Sequence, residues 1–451
     1  MAGGRRGRLA SAVYDRRVQH LGGAKRAVAA GIAAALALVL TPAAAQASLA
    51  SEAAAEASWI INSAQAHCSG PARGAIAQAP FSYGAEETQL IDAYRANYAA
   101  LGLLAASTLA GSEARAADLK AVKEWVEWYF RHLNWPDDAV PTPQAGTVYY
   151  YRDRYTGTPG STCTEEKVLQ ENAESPMYGR AYYDAEDSWA ATFLSVLGAW
   201  AKVDPLEAVA MLSSEAPNDY PYLIEAIANA AIANIGTTPY LTGADPWYTA
   251  KYTMDNAEVV QGLNAYAWLA ETYLGKPAQA AYWHGVAANI EAAMGEYLWE
   301  RCGTGIFCVA DGDPAYSFTA CEPAEVGSSS YERFWDEGLG GVVQAWPSFA
   351  GLQPGVAHGS ETLALLTLGC PAWFSSGRLP TPSQAEPYAP DAGIALAAEH
   401  VGYTELASKW LGATESNWIA TGREWPWTVE EAGTLIRVAA LLAGGEEVVP
   451  R

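Results

Sequence analysis

Two kinds of helix alternate along this chain. One kind is apolar nearly all round: Leu90–Leu109 (LIDAYRANYAALGLLAASTL), Asp187–Val203 (DSWAATFLSVLGAWAKV) and Asp255–Leu274 (DNAEVVQGLNAYAWLAETYL). A helix with no polar face beyond its ends is buried on every side. The other kind carries a single stripe. Between Arg115 and Leu133 the apolar positions are Leu119, Val122, Val126, Tyr129 and Leu133; between Pro277 and Leu298 they are Trp283, Val286, Ala287, Ile290, Met294 and Leu298. Steps of three and four put these on one face and leave the opposite face wet.

Buried helices come first and amphipathic ones follow after short links, so each pair reads as an antiparallel hairpin. Helix 187–203 is followed by 205–215 and 219–235. Further helical stretches at 332–346, 357–369, 389–411 and 427–443 bring the count to about twelve. The one strand pattern is Val148-Tyr149-Tyr150-Tyr151. The separations follow no constant period, which argues against a solenoid. A ring of buried helices inside a ring of amphipathic ones satisfies the pattern, because every inner helix then touches neighbours on each side.

Polar residues gather where the presumed inner helices begin. The first start holds Tyr94, Arg95 and Asn97; the second, Tyr182-Tyr183-Asp184-Ala185-Glu186-Asp187-Ser188-Trp189; the third, Tyr252 to Asn256 with Glu258. The fourth holds Tyr331, Glu332, Trp335, Asp336 and Glu337; the fifth, Tyr388-Ala389-Pro390-Asp391; the sixth, Trp425-Pro426-Trp427-Thr428 with Glu430 and Glu431. Capping and the helix dipole explain acids at these places. They do not explain the flanking Tyr and Trp. In a closed ring such ends converge on one mouth, where carboxylates and aromatic faces suit a carbohydrate. Glycosidic cleavage needs two carboxyl groups, one protonated toward the leaving oxygen, the other activating water or attacking the sugar.

The first 47 residues differ from the rest. Seven basic residues face one acid, Asp15; an apolar run Ala27–Leu40 follows, then Ala45-Gln46-Ala47. This predicts a secretory signal peptide over 1–47, with one domain over 48–451 and a secreted or extracytoplasmic destination. An uncleaved anchor is the alternative, and Arg16-Arg17 hints at a twin-arginine route that Gln19 and His20 do not fit. The formal net charge is −23, and without residues 1–47 there are 20 bases against 49 acids. That excludes nucleic acid as a partner and argues against anionic lipid. No stable membrane insertion is expected after cleavage.

All six cysteines, Cys68, Cys163, Cys302, Cys308, Cys321 and Cys370, lie beyond the leader, which in an exported chain points to disulfides. Their spacing does not form a zinc site. Asp311-Gly312-Asp313 lacks the rest of a calcium loop. Neither a metal nor a cofactor is expected. There is no G-x-S-x-G elbow, phosphate loop or H-E-x-x-H. Loops over 135–182, 301–330 and 371–387 are long enough to build up a cleft over one face.

The segments Tyr94–Leu104 (YRANYAALGLL), Tyr183–Leu194 (YDAEDSWAATFL), Met254–Leu263 (MDNAEVVQGL), Val342–Leu352 (VVQAWPSFAGL) and Trp427–Leu435 (WTVEEAGTL) resemble the six-hairpin glycosidase superfamily, in an uncharacterised bacterial branch. The resemblance implies an all-α, (α/α)6 toroid, a cleft at the inner-helix N-termini, and a metal-independent enzyme acting on a poly- or oligosaccharide. The expected catalytic carboxyls are Asp187 and Asp255, with Asp336 and Glu430 in reserve. The expected substrate contacts are Arg95, Asn97, Tyr183, Trp189, Asn256, Glu258, Trp335, Trp425 and Trp427. Glu258 has a second reading, as a buried carboxylate paired with Arg95 or another base, and each Trp has one in core packing. Three other functions compete with a hydrolase. They are a non-catalytic glycan-binding or envelope protein on the same fold, a polysaccharide lyase, and, on Asp184–Asp187, a terpene cyclase.

Overall fold

The computed structural model describes residues 42–80, 89–135, 144–154, 162–171, 175, 178–237, 239–244, 246, 250–301, 314–316, 319–320, 338–369, 371–380 and 388–451. The chain divides into two units, Met1–Ala45 and Gln46–Arg451, and the second holds the architecture that follows.

The helices in chain order are α1 (Pro42–Trp59), α2 (Ala93–Leu109), α3 (Ser112–Arg131), α4 (Glu186–Val203), α5 (Pro205–Leu212), α6 (Tyr220–Ala230), α7 (Thr253–Thr272) and α8 (Pro277–Tyr297). After them come α9 (Gly338–Phe349), α10 (Pro354–Ala357), α11 (Gly359–Gly369), α12 (Pro371–Ser376), α13 (Gly393–His400), α14 (Thr404–Thr414) and α15 (Val429–Leu442). Helix α2 packs on α4, α4 on α7, α7 on α9, α9 on α13, α13 on α15, and α15 back on α2. The ring is closed, and it is visited in chain order. Outside it, α3 lies on α2, α5 and α6 on α4, α8 on α7, α11 on α9 and α14 on α13. The one-turn π-helix Ile60–Ala64 at the end of α1 packs on α15 and completes the outer layer. This is an all-α (α/α)6 toroid.

Burial follows the two sequence patterns. From Glu186 to Ala201 every residue of α4 is buried, whereas α3 buries Ala121, Val122, Trp125, Val126 and Tyr129 and leaves Glu113 and Lys120 in solvent. Glycine sets the closest approaches. A Cβ on Gly433 of α15 would lie 2.2 Å from the Tyr98 carbonyl oxygen, and one on Gly102 of α2 would lie 2.4 Å from the Gly433 Cα. The first and last inner helices therefore touch backbone to backbone.

Several boundaries differ from expectation. The 389–411 stretch is two helices, because Gly402 (φ +83°) ends α13 in a left-handed turn, with Tyr403 N–H bonding back to the Ala398 carbonyl. The 357–369 stretch breaks at His358 (φ +47°). Helix α1 was not anticipated, and it runs across the predicted cleavage point at Ala47.

The expected strand 148–151 is realised only from Tyr151. Tyr150 bonds instead to the Tyr182 carbonyl and to the Val168 N–H. Strand β2 (Tyr151–Arg154) lies between β1 (Gln89–Ile91) and β3 (Thr164–Lys167) in an antiparallel sheet, with Ile91 opposite Tyr151 and Tyr151 opposite Lys167. Part of the 135–182 loop is thus ordered, and a disulfide joins Cys163 to Cys68. The remaining four cysteines, the Asp311–Asp313 motif and the 321–337 segment lie outside the described residues. Among the described residues no helix is long and apolar enough to cross a membrane.

Candidate active site at the inner-helix N-termini

Because the six inner helices are parallel, their first turns share one pole. Asp92 caps α2, accepting from the Tyr94 and Arg95 N–H groups. Glu186 and Asp187 open α4, and Asp255 lies in the first turn of α7. Asp391 precedes α13 and accepts from Gly393 N–H at 2.8 Å, while Glu430 and Glu431 begin α15. Each is a favoured residue at a positive helix end. The closed ring turns these local preferences into one mouth.

Glu258 marks the axis. It lies one turn below Asp255 on α7 and is 1% exposed. Its Oε1 accepts from Tyr94 Oη at 2.6 Å, Tyr98 Oη at 2.5 Å and Trp346 Nε1 at 2.9 Å. Tyr94 and Tyr98 belong to α2, which is not an immediate neighbour of α7 in the ring. Only a group near the centre reaches both. Three donors favour its charged form, yet burial outweighs them and pushes its pKa up to about 8.

The other acids fall into two linked groups. Asp255 is held well above the usual carboxylate range, first by loss of water and then by Asp187, Glu258 and Asp184. Asp187 is buried, and its Oδ1 accepts from Ser188 N–H at 2.8 Å. On the other side, burial followed by Glu430 raises Asp391 to about 7, and burial followed by Asp391 and Glu430 raises Glu431 well above its ordinary value. Glu430 is raised by burial against the pull of Arg95. Arg95 Nε meets Asp92 Oδ2 at 3.1 Å and its Nη1 meets Glu430 Oε2 at 3.3 Å.

Of the residues singled out in the sequence, Asp187, Asp255, Glu258, Glu430 and Arg95 come together at this mouth. Glu258 is buried, but its partners are two phenols and an indole, not Arg95 or another base. Asn97 is fully buried and ties α2 to α4, donating to the Trp189 carbonyl and Thr192 Oγ1 and accepting from Trp125 Nε1. Asn256 is fully buried as well, accepting from Thr242 N–H and donating to the Thr242 and Tyr252 carbonyls.

Tyr183 is buried against Tyr149, and Trp189 is buried with the Tyr150 ring edge-on to it at 4.6 Å. Trp427 is wholly buried and offers no open face; Trp425 is half-buried. Asp336 and Trp335 lie outside the described residues. Tyr150 and Tyr182, half-buried with ring centroids 5.1 Å apart, stand beside Asp92 and Asp184; the sequence shows Tyr182 at the second helix start and Tyr150 only within the strand pattern. Among the described residues, no three His, Cys, Asp or Glu are placed to hold a metal ion.

Fold and site define a class: an α/α toroid with a carboxyl-rich, tyrosine-edged mouth at the inner-helix N-termini. Several solved structures are similar to this chain. A family 76 glycoside hydrolase from a bovine Bacteroides thetaiotaomicron strain is 10% identical over 88% of this chain and 77% of that one, with a TM-score of 0.49. A family 76 glycoside hydrolase (mannosidase) from Bacteroides thetaiotaomicron VPI-5482 is 11% identical over 88% and 98%, with a TM-score of 0.45. An alpha-amylase from Clostridium perfringens is 12% identical over 85% and 95%, with a TM-score of 0.47. At these identities and TM-scores no residue role passes from them. No family model and no curated protein matches the chain.

Proposed function

We propose that the protein is a glycoside hydrolase whose catalytic pair is Asp255 and Asp187. The observation that carries this reading is their placement. Two carboxyl groups from adjacent inner helices lie within electrostatic reach of each other, and Asp255 is held above the usual carboxylate range. A carboxyl that keeps its proton can donate it to a departing glycosidic oxygen. Asp187, at the start of α4, has its carboxylate oriented by Ser188 N–H and favoured by the helix dipole, which suits the base or nucleophile. Half-buried Tyr94, Tyr150 and Tyr182 supply ring faces for sugar C–H groups. The basic, apolar and A-x-A segments of residues 1–47 support export before action, leaving a domain over 48–451.

The test uses Asp187→Asn and Asp255→Asn, assayed for reducing ends released from a panel of glycans, with circular dichroism reporting the fold. General acid–base catalysis contributes about 10²- to 10⁴-fold, so each variant should lose activity on that scale while remaining folded. Full activity in either variant removes that residue from the pair. Unsaturated, ultraviolet-absorbing products would identify a lyase instead. Binding without cleavage by the unmodified protein would identify a glycan-binding protein.

A further inference from the structure

We propose that the mouth takes a sugar bearing a protonated amine, in preference to neutral or acidic sugars. This deepens the hydrolase reading and rests on it for the location of the site. Among the described residues, five inner helices bring carboxyl groups to this pole, and the Arg95 guanidinium among them is already engaged. Arg95 spans Asp92 and Glu430, so its charge is matched before any ligand arrives. A second guanidinium, Arg152 on β2, lies within electrostatic reach of Tyr182.

Two buried carboxyl oxygens point to what is missing. Tyr94, Tyr98 and Trp346 all donate to Glu258 Oε1, and Oε2 has no hydrogen-bond partner among the described residues. Asp255 Oδ2, one turn above, is buried and lacks one too. A buried carboxyl oxygen without a partner is costly whether or not it carries the proton. An ammonium brings three N–H donors and a positive charge to one point. A hydroxyl brings one donor and no charge, and a uronate, sulfate or phosphate adds charge of the wrong sign. The tyrosine faces beside the acids also favour a cation. An ammonium lowers the pKa of every carboxyl near it, so acids that hold protons in the empty mouth release them when it binds.

The probes are 2-amino-2-deoxy-glucose, -galactose and -mannose, each paired with its N-acetyl counterpart and the parent hexose. Binding is measured by calorimetry at low salt in two buffers of different ionisation enthalpy. At least one amino sugar should bind about tenfold or more tighter than its neutral partners, release protons on binding, and lose that margin as salt is added. Asp255→Asn and Glu258→Gln should each cut the margin to about threefold or less; Asp255→Asn, on the half-buried residue, carries the test if Glu258→Gln does not fold. Equal or weaker binding of the amines, no binding of any amine, or an intact margin in folded Asp255→Asn overturns the proposal. Neutral sugars bound and cut while amines are ignored would sink the charge preference and leave the hydrolase reading standing. Amines bound by a protein that cuts no glycan would do the reverse.

Discussion

Gly433→Ala tests the closure of the ring directly. Gly433 of α15 and Gly102 of α2 form the seam between the last and first inner helices. An added methyl carbon would sit 2.2 Å from the Tyr98 carbonyl oxygen and 2.7 Å from the Ala99 Cα. Comfortable contacts are about 3.5 Å or more, so the two backbones must part by roughly an ångström. Overpacking costs about 1–3 kcal/mol, and the upper end applies because the struck atoms are backbone, which no rotamer change can move aside. The gain in helix propensity from Gly to Ala offsets about 1 kcal/mol. The net expectation is a loss of about 2 kcal/mol.

Gly285→Ala on α8 is the control, because a methyl there meets no atom within 4 Å. It should gain up to about 1 kcal/mol, separating the two variants by about 3 kcal/mol. Urea unfolding with unchanged slope reads the difference. Tyr98 lies one turn before Gly102 and donates to Glu258, so Gly433→Ala should also disturb the mouth. If the two variants unfold at the same midpoint, the helices do not meet at this seam and the closed ring is wrong.

The buried acids also predict how stability varies with pH. Glu258 moves from 4.5 to about 8, and Asp391, Asp118 and Asp153 from 3.8 to about 7. Between its unfolded and folded values each group holds its proton more firmly in the folded state, so unfolding free energy falls as pH climbs through that window. Glu447, drawn far down by Arg437 and His400 despite its burial, acts oppositely and loses its contribution below about pH 4.5. Chemical unfolding should therefore give greatest stability in mild acid and a decline toward pH 8, made shallower by Glu258→Gln; stability that climbs between pH 5 and 8 would contradict this account. The Cys68–Cys163 bridge spans a sequence separation of 95 residues. Replacing both cysteines by serine should cost about 2–4 kcal/mol, seen as a lower urea midpoint; an unmoved midpoint would show that the bridge does not stabilise the fold.

Much of the architecture was legible in the hydrophobic pattern because the two helix classes bury different fractions of their surface. Asp187 to Val203 has no wet face, and α4 has none in the structure beyond its last turn. The alternation therefore reported which layer each helix occupies. The acids at the helix starts were visible for the same local reason. What the sequence hid were distances across the ring. Tyr94 and Tyr98 are four apart and visibly share a face, but their shared partner is Glu258, some 160 residues away. Trp427 looked like a platform because an aromatic beside an acid reads alike whether it faces the mouth or the core; its full burial separates the two. Helix α1 was missed because its run of alanines suits both a leader's end and a good helix. Gly102 and Gly433 were in plain view, but a glycine inside a helix signals a close crossing only once its neighbour is known.

The protonation of the mouth follows from two opposing effects of the same geometry. Parallel inner helices aim their positive ends at one pole, which favours ionised carboxyls by about 0.3–1 kcal/mol each and up to about 2 in favourable settings. Closure of the ring also removes water from that pole. For Glu258 the move from 4.5 to about 8 corresponds to on the order of 5 kcal/mol against the charged form, even with three donors on one oxygen. At Glu258 desolvation therefore outweighs the dipole by a factor of two or more, and its carboxyl favours the protonated form at neutral pH. An open superhelix carrying the same residues would leave these carboxyls hydrated and ionised, with neither a stored proton to donate nor a reason to release one on meeting a cation. The acid chemistry of this mouth thus depends on closure of the ring, and the α2–α15 seam that completes it joins segments far along the chain from Asp187 and Asp255.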